Sequence, residues 1–339
     1  MYKIAKASAH EREILFLNTA ARKNMNVAII EKDFWVCLTL DYLFHQCPWK
    51  GAFAFKGGTS LSKAYGLIKR FSEDIDLILD WRVLGYTKGE PWEARSNTSQ
   101  QKFNKAANDK AAVFLKDVFL PKFREDMANL IGQDINAFID EQDGQTVHFA
   151  YPCSYTDDAI VRTIRLEIGA LAAWTPTQLV KITPYAAEEY GHVFKQPSMD
   201  ILTTTAARSF WEKATILHAE AFRPKGSSMP SRYSRHYYDL YVMAHSKVKE
   251  DVLNQPELLQ QVVDFKKKFY PQNRARYDLA VPKTLKLLPP EHSVSLLKED
   301  YAAMKKMIYG DYPAYDTIMA TLADLEIEIH NMSERQNGF

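Results

Sequence analysis

The sequence has little of what marks a secreted, disulfide-held or membrane-bound chain. Its cysteines are three, Cys37, Cys47 and Cys153, with no paired or metal-ligand spacing. That argues against a disulfide framework or a structural zinc site and suits thiols packed as small apolar groups in a reducing cytoplasm. Charges interrupt every apolar run of the opening MYKIAKASAHEREILFLN, so the pattern of a signal peptide is missing. No stretch approaches the roughly 20 apolar residues of a membrane span, so no membrane partner is expected. Neither sign of charge is in excess: 43 Lys and Arg face 42 Asp and Glu, for a formal net charge of +1. A strongly basic chain of histone or ribosomal type is thereby excluded, although a local basic groove is not. The G-x-x-x-x-G-K-[ST] turn of P-loop enzymes, the kinase H-R-D and D-F-G segments, and H-E-x-x-H are all lacking. What remains is a cytoplasmic globular chain of 339 residues, 46% hydrophobic, long enough for two domains.

The pattern along the chain predicts an α+β fold: a small mixed β-sheet core with N-terminal helices, followed by a helical C-terminal domain. The boundary is placed at residues 1–200 and 201–339. Ile14, Leu15 and Leu17, then Ile29 to Leu40, recur near helical spacing. A short apolar run, Ala52–Phe55, reads as a strand ended by Gly57-Gly58. Thr59 or Ser60 then caps a helix with Leu61, Ala64, Tyr65 and Ile68 as its apolar face. A polar turn over Lys69–Glu73 leads into a strand at Asp74–Leu79. Trp81–Gln101 reads as loop, with a helix from Lys102 to about Leu130. Strands are expected at Thr146–Tyr151, Val161–Ala170 and Leu179–Ile182, and helices from Thr203 onward.

The chemistry concentrates at the second strand. Strand side chains alternate, so Asp74 and Asp76 share a face while Ile75, Leu77 and Leu79 take the other. At ~4 Å and an effective dielectric of about 20, two carboxylates repel by about 4 kcal/mol. Such a pair calls for a cation, and magnesium suits one or two carboxylates combined with substrate phosphates. A D-x-D alone is a frequent chance pattern whose plain reading is a turn cap and a solvated acid. Here it follows a Gly57-Gly58 turn, where backbone free of Cβ can approach a ligand and helical N–H groups can meet an anion. A phosphate-holding turn followed by a metal-holding strand fits phosphoryl-type transfer, which needs charge neutralisation and positioning more than covalent help. Two ions do this with a third carboxylate. Glu167 is the candidate, sharing a strand face with Thr163 and Arg165; an exposed glutamate paired with Arg165 is its plain alternative.

At this length the motif resembles a known family. FKGGTSLSKAYGLIKRFSEDIDL is similar to the signature of the AbiEii/AbiGii-type toxins, within the polymerase-β-like nucleotidyltransferase superfamily. EKDFWV (Glu31–Val36), RSFWEKATILH (Arg208–His218), SRHYYDLY (Ser234–Tyr241) and the tail KEDYAAMKKMIYGDYPAYDTIM resemble further family segments. The resemblance implies that Gly58, Thr59 and Ser60 contact phosphate with Gly57, and that Asp74 and Asp76 bind metal with Glu167 as third acid. It further implies that Lys213 binds phosphate and that Asp239 is an essential acid. It implies a toxin of a toxin–antitoxin or phage-defence system, neutralised by a separately encoded antitoxin with a winged-helix part, and an acceptor such as the tRNA 3′ end. The turn-to-Asp74 spacing is about one residue longer than usual, and His236 stands where many relatives carry an acid.

Physically, Lys213 lies on or beside an apolar helix face, where an ammonium snorkels to solvent or meets an anion. Arg235 and Asp239 are spaced for an intrahelical ion pair. Asp239 sits among tyrosines, and a buried acid there asks for Lys213 or Arg235 as partner. Arg208 and Lys56 are weaker phosphate candidates, whose first reading is structural or solvated. Phe265–Tyr277 interleaves basic and aromatic residues, which suits RNA contact or a charged helix end running into a loop. The leading function is a Mg²⁺-dependent enzyme moving NMP from an NTP to RNA. The alternatives are nucleotidylation of a protein hydroxyl and a non-catalytic nucleotide- or partner-binding protein of the same fold.

Overall fold

The computed structural model describes residues 1–70, 72, 74–157, 160–171 and 175–332. By contact density the chain divides into two compact units, Met1–Tyr65 with Phe71–Thr204, and Gly66–Arg70 with Thr205–Phe339.

The first unit opens with helices α1 (Tyr2–Ala5), α2 (Ala9–Lys23) and α3 (Val27–Asp41). Ser8 and Glu11 form a reciprocal capping box at the start of α2, Asn24 closes it in the left-handed conformation, and Asn26 caps α3. Helix α3 is buried on nearly every side, charged residues included. It is therefore an internal helix rather than an amphipathic surface one. Next come β1 (Phe53–Lys56), α4 (Gly57–Lys63), β2 (Asp74–Leu79), α5 (Asn97–Phe114) and α6 (Leu120–Ile131). A π-turn over Leu115–Phe119 joins the last two helices, and Gly132 at φ +83° stops α6. Strands β3 (Asn136–Ile139), β4 (Thr146–Ala150), β5 (Thr163–Gly169), β6 (Thr177–Ile182), helix α7 (Tyr185–Glu189) and β7 (Met199–Thr204) complete the unit.

The strands form one mixed sheet in the order β3-β4-β5-β2-β1-β7-β6. Pairs β1/β7 and β2/β5 are parallel and the others antiparallel. Phe53, Phe55, Ile75, Leu77, Leu79, Ile164, Leu166 and Ile168 point to one side, into a core with Phe34, Leu38, Phe119 and Phe123. The other side of β2 and β5 is where the polar residues of the alternation emerge.

The second unit is helical: α8 (Ala206–Ala221), α9 (Arg235–Ala244), α10 (Val248–Leu253), α11 (Pro256–Phe269), α12 (Val294–Ala303) and α13 (Tyr315–His330). Thr205 caps α8, which packs on α9, α10 and α11, while α13 covers α9. Among the described residues no helix is long and apolar enough to cross a membrane.

The α+β expectation holds, with several local corrections. Helix α4 stops at Lys63 rather than reaching Ile68, and Gly66 lies at φ +61° beyond it. Its N-cap is Lys56 with no side-chain cap bond, so neither Thr59 nor Ser60 caps it. Part of the expected loop is structured, since α5 begins at Asn97 with Ser96 as cap. Strands β3 and β7 were not expected, and β7 takes the start of the stretch read as helix from Thr203. Phe71 and Glu73 of the polar turn lie outside the described residues.

Candidate functional site

In the first unit the strand alternation delivers the expected acid face. Ile75 and Leu77 enter the core, while Asp74 and Asp76 lie half-buried on the opposite face. Parallel pairing sets Asp76 opposite Glu167 and Asp74 opposite Arg165, and antiparallel pairing sets Lys56 opposite Asp76. Lys56, Asp76 and Glu167 thus form one row across β1, β2 and β5, with strands about 4.8 Å apart. Burial, then the charges of Asp76 and Asp74, push the Glu167 carboxyl up to about 7, against the pull of Arg165 and Lys56.

Arg165 spans two of the acids, with guanidinium nitrogens 2.8 Å from Glu167 Oε1 and 3.5 Å from Asp74 Oδ2. The ion pair between Glu167 and Arg165 that competed with metal binding is therefore formed in this structure. Among the described residues no three His, Cys, Asp or Glu side chains converge as a ready ligand set. The donor chemistry nonetheless fits magnesium: carboxylate oxygens from neighbouring strands on one face, where burial and then the charges of Asp76 and Asp74 raise the Glu167 pKa and a cation would relieve the repulsion.

The glycine turn meets this face directly. Gly57 has φ +78°, and a Cβ built there would lie 1.8 Å from Asp76 Oδ2. Only glycine lets the turn and that carboxylate occupy adjacent space. Thr59 Oγ1 donates to the Asp74 carbonyl at 2.5 Å, and Ser60 Oγ to the Gly57 carbonyl at 2.8 Å. Both residues are buried. Their hydroxyls hold backbone, so what the turn through Gly58 offers an anion is its first helical N–H groups.

The other expected residues gather in the second unit, around Asp239 at 0% exposure. Its carboxylate accepts from Arg70 Nε at 2.6 Å, Arg70 Nη2 at 2.8 Å and Lys213 Nζ at 2.8 Å. Burial alone would raise its pKa, but Arg70 and Lys213 together outweigh burial and hold it below the ordinary carboxylate range. Burial, Lys213 and Arg235 keep His236 neutral, far below its usual pKa. Lys213 Nζ lies 3.2 Å from His236 Nδ1, which accepts as a neutral ring nitrogen. Lys213 therefore serves as Asp239's partner, as the burial argument allowed. The arginine on Asp239 is Arg70 rather than Arg235, which is exposed.

Arg70 was missed in the sequence, where it sat in a turn read as polar; no local pattern marks a partner 169 positions away. Arg208 is buried and pairs with Glu212, in keeping with a structural reading. In Phe265–Tyr277, Phe265, Phe269 and Tyr277 are core residues and Arg276 pairs with Asp278. Of its other basic and aromatic residues, Lys267, Tyr270 and Arg274 are exposed and Lys266 and Lys268 half-buried.

The sequence profile of the family described as "Nucleotidyl transferase AbiEii toxin, Type IV TA system" matches residues 41–321. The chain belongs to the AbiEii family. This AbiEii protein is accordingly a nucleotidyltransferase toxin whose family works with a separate antitoxin. Its matched span takes in the glycine turn, the acid strand, Glu167, Lys213 and Asp239, and begins at the last residue of α3. No functionally curated protein is similar enough to match. Among solved structures the chain is similar to JHP933 from Helicobacter pylori, at 14% identity over 91% of this chain and 94% of that one, with TM-score 0.44. It is also similar to MenT4, a nucleotidyltransferase toxin from Mycobacterium tuberculosis, at 14% identity over 96% and 90%, with TM-score 0.42.

Proposed function

We propose that this toxin uses Mg²⁺ to move a nucleoside monophosphate from an NTP to RNA, with the tRNA 3′ end as first choice. The observation that carries the reading is the placement of Asp74, Asp76 and Glu167 on one face of adjacent strands, with Gly57 against Asp76. Asp74 and Asp76 would hold the ions, two in number, and Glu167 would join them. Bound magnesium supplies neutralisation of the triphosphate's charge.

The chain's own contributions are positional. Gly57 keeps the turn and Asp76 in contact, and Thr59 fixes the Asp74 backbone. Burial lowers the Lys213 pKa and the Asp239 carboxylate opposes it, favouring the ammonium, the form in which a lysine meets phosphate. Exposed Lys267, Tyr270 and Arg274 supply charge and a stacking surface of the kind RNA contact uses. A separately encoded antitoxin with a winged-helix part would neutralise the activity.

The acceptor is tested by incubating the protein with each α-labelled NTP, Mg²⁺, and either total RNA or lysate protein. Label in the RNA fraction, lost in Asp74→Ala/Asp76→Ala, is the expected result. Label confined to protein would contradict the RNA acceptor and keep the chemistry. In growing bacteria, expression should slow growth and Asp76→Ala should not; equal toxicity of the two would refute a catalytic cause.

A further inference from the structure

The proposed chemistry leaves unused three consecutive charged residues of α3, Glu31, Lys32 and Asp33, all buried. Successive helical residues point about 100° apart, so each reaches a different neighbour. Glu31 accepts from the backbone N–H groups of Ser154 and Tyr155, each at 2.9 Å. Lys32 donates to the Val161 carbonyl at 2.8 Å, just before β5 begins. Asp33 accepts from Lys63 Nζ at 2.7 Å and from the Tyr185 backbone N–H at 2.7 Å.

Lys63 is the last residue of α4. Besides Asp33, its ammonium donates to the Thr183 carbonyl at 2.9 Å and lies 3.6 Å from the centre of the Tyr185 ring. At the other end of this helix, Thr59 holds the Asp74 carbonyl and Gly57 lies against Asp76. Helix α4 is therefore a short strut, fixed at Lys63 and touching both acids at its start. A buried ion pair is a weak device for stability, since apolar residues of similar volume frequently replace one without loss. What an apolar pair cannot supply is a fixed distance and direction between the two helices.

We propose that Asp33 and Lys63 are positioning residues for the nucleotide site: their ion pair sets where the Gly57 turn meets Asp74 and Asp76. Neither touches the reacting atoms. The inference rests on the proposed reading that the NTP is handled at the acid face.

The test is Asp33→Leu/Lys63→Met, assayed for transfer from each α-labelled NTP in turn. A smaller folded fraction lowers kcat and leaves KM alone, whereas a displaced turn raises KM. We expect KM for the NTP to rise by about tenfold, within the reach of a sub-ångström to 1 Å misplacement, with Tm close to that of the unmodified protein. An unchanged KM overturns the proposal, whatever happens to kcat. Should the double variant fail to fold, Asp33→Asn decides, because it keeps the shape and the bond from Tyr185 but drops the charge. Its KM should rise by about threefold, a smaller share of the same misplacement effect, and a KM equal to the unmodified protein's overturns the proposal equally. If the unmodified protein labels no acceptor, the functional reading fails and amide hydrogen exchange settles the positioning claim. Exchange across Gly57–Lys63 should be faster in Asp33→Asn, and equal rates overturn it.

Discussion

Two residues at the acid face lend themselves to direct tests. Gly57 needs its positive φ and the absence of a Cβ, which would lie 1.8 Å from Asp76 Oδ2. Gly57→Ala should lower transfer by about 100-fold, as misplacements near 1 Å do, while the protein remains folded by circular dichroism. Glu167 carries a pH signature. Its folded-state pKa is raised to about 7 from an ordinary value of 4.5, so folding favours its protonated form. Stability from this group is fully present below about pH 4.5 and is lost as pH rises through about 7. In metal-free buffer Glu167→Gln should therefore raise Tm at pH 8, by roughly 2 °C for a chain of this size, and leave it unchanged near pH 4. Because Glu167 is more than a third exposed, solvent screening keeps the effect small. The same Tm at both pH values in the two proteins would contradict the assigned environment.

At the scale of elements, the second unit depends on a buried ion cluster joining α8, α9 and the segment ending at Arg70. Removing the acid alone leaves two buried cations uncompensated, so Asp239→Ala should destabilise by about 3–5 kcal/mol, read from denaturant unfolding. The depressed folded pKa of Asp239 adds a sign: its contribution is present above the unfolded value near 4 and is lost as pH falls through the folded value. A Tm–pH profile should thus show an acid-side loss in the unmodified protein that is weaker in Asp239→Asn. Strands β1 and β2 and the glycine turn were legible in the sequence because period-two alternation and paired glycines report local geometry, whereas the cap and the end of α4 were not. Strand β3 was not, being four residues long with a largely exposed face. Strand β7 hid in Met199–Thr204, whose threonines merge with the Thr205 cap of α8. The commitment of Thr59 and Ser60 to backbone carbonyls, and of Arg70 to Asp239, follows from tertiary neighbours that no window of sequence contains.

For the whole molecule, membership of the AbiEii family establishes a nucleotidyltransferase toxin, and the arrangement of the acid face supports the proposal that transfer takes place there. The most direct measurement compares the same NTP labelled at the α- or the γ-phosphate, incubated with the protein, Mg²⁺ and total tRNA, beside Asp74→Ala/Asp76→Ala. The expected result is α-label on the acceptor with release of labelled pyrophosphate from the γ-labelled NTP, both absent from the variant. Transfer of γ-label to the acceptor, or α-label transferred equally by the variant, would contradict nucleotidyl transfer at Asp74 and Asp76.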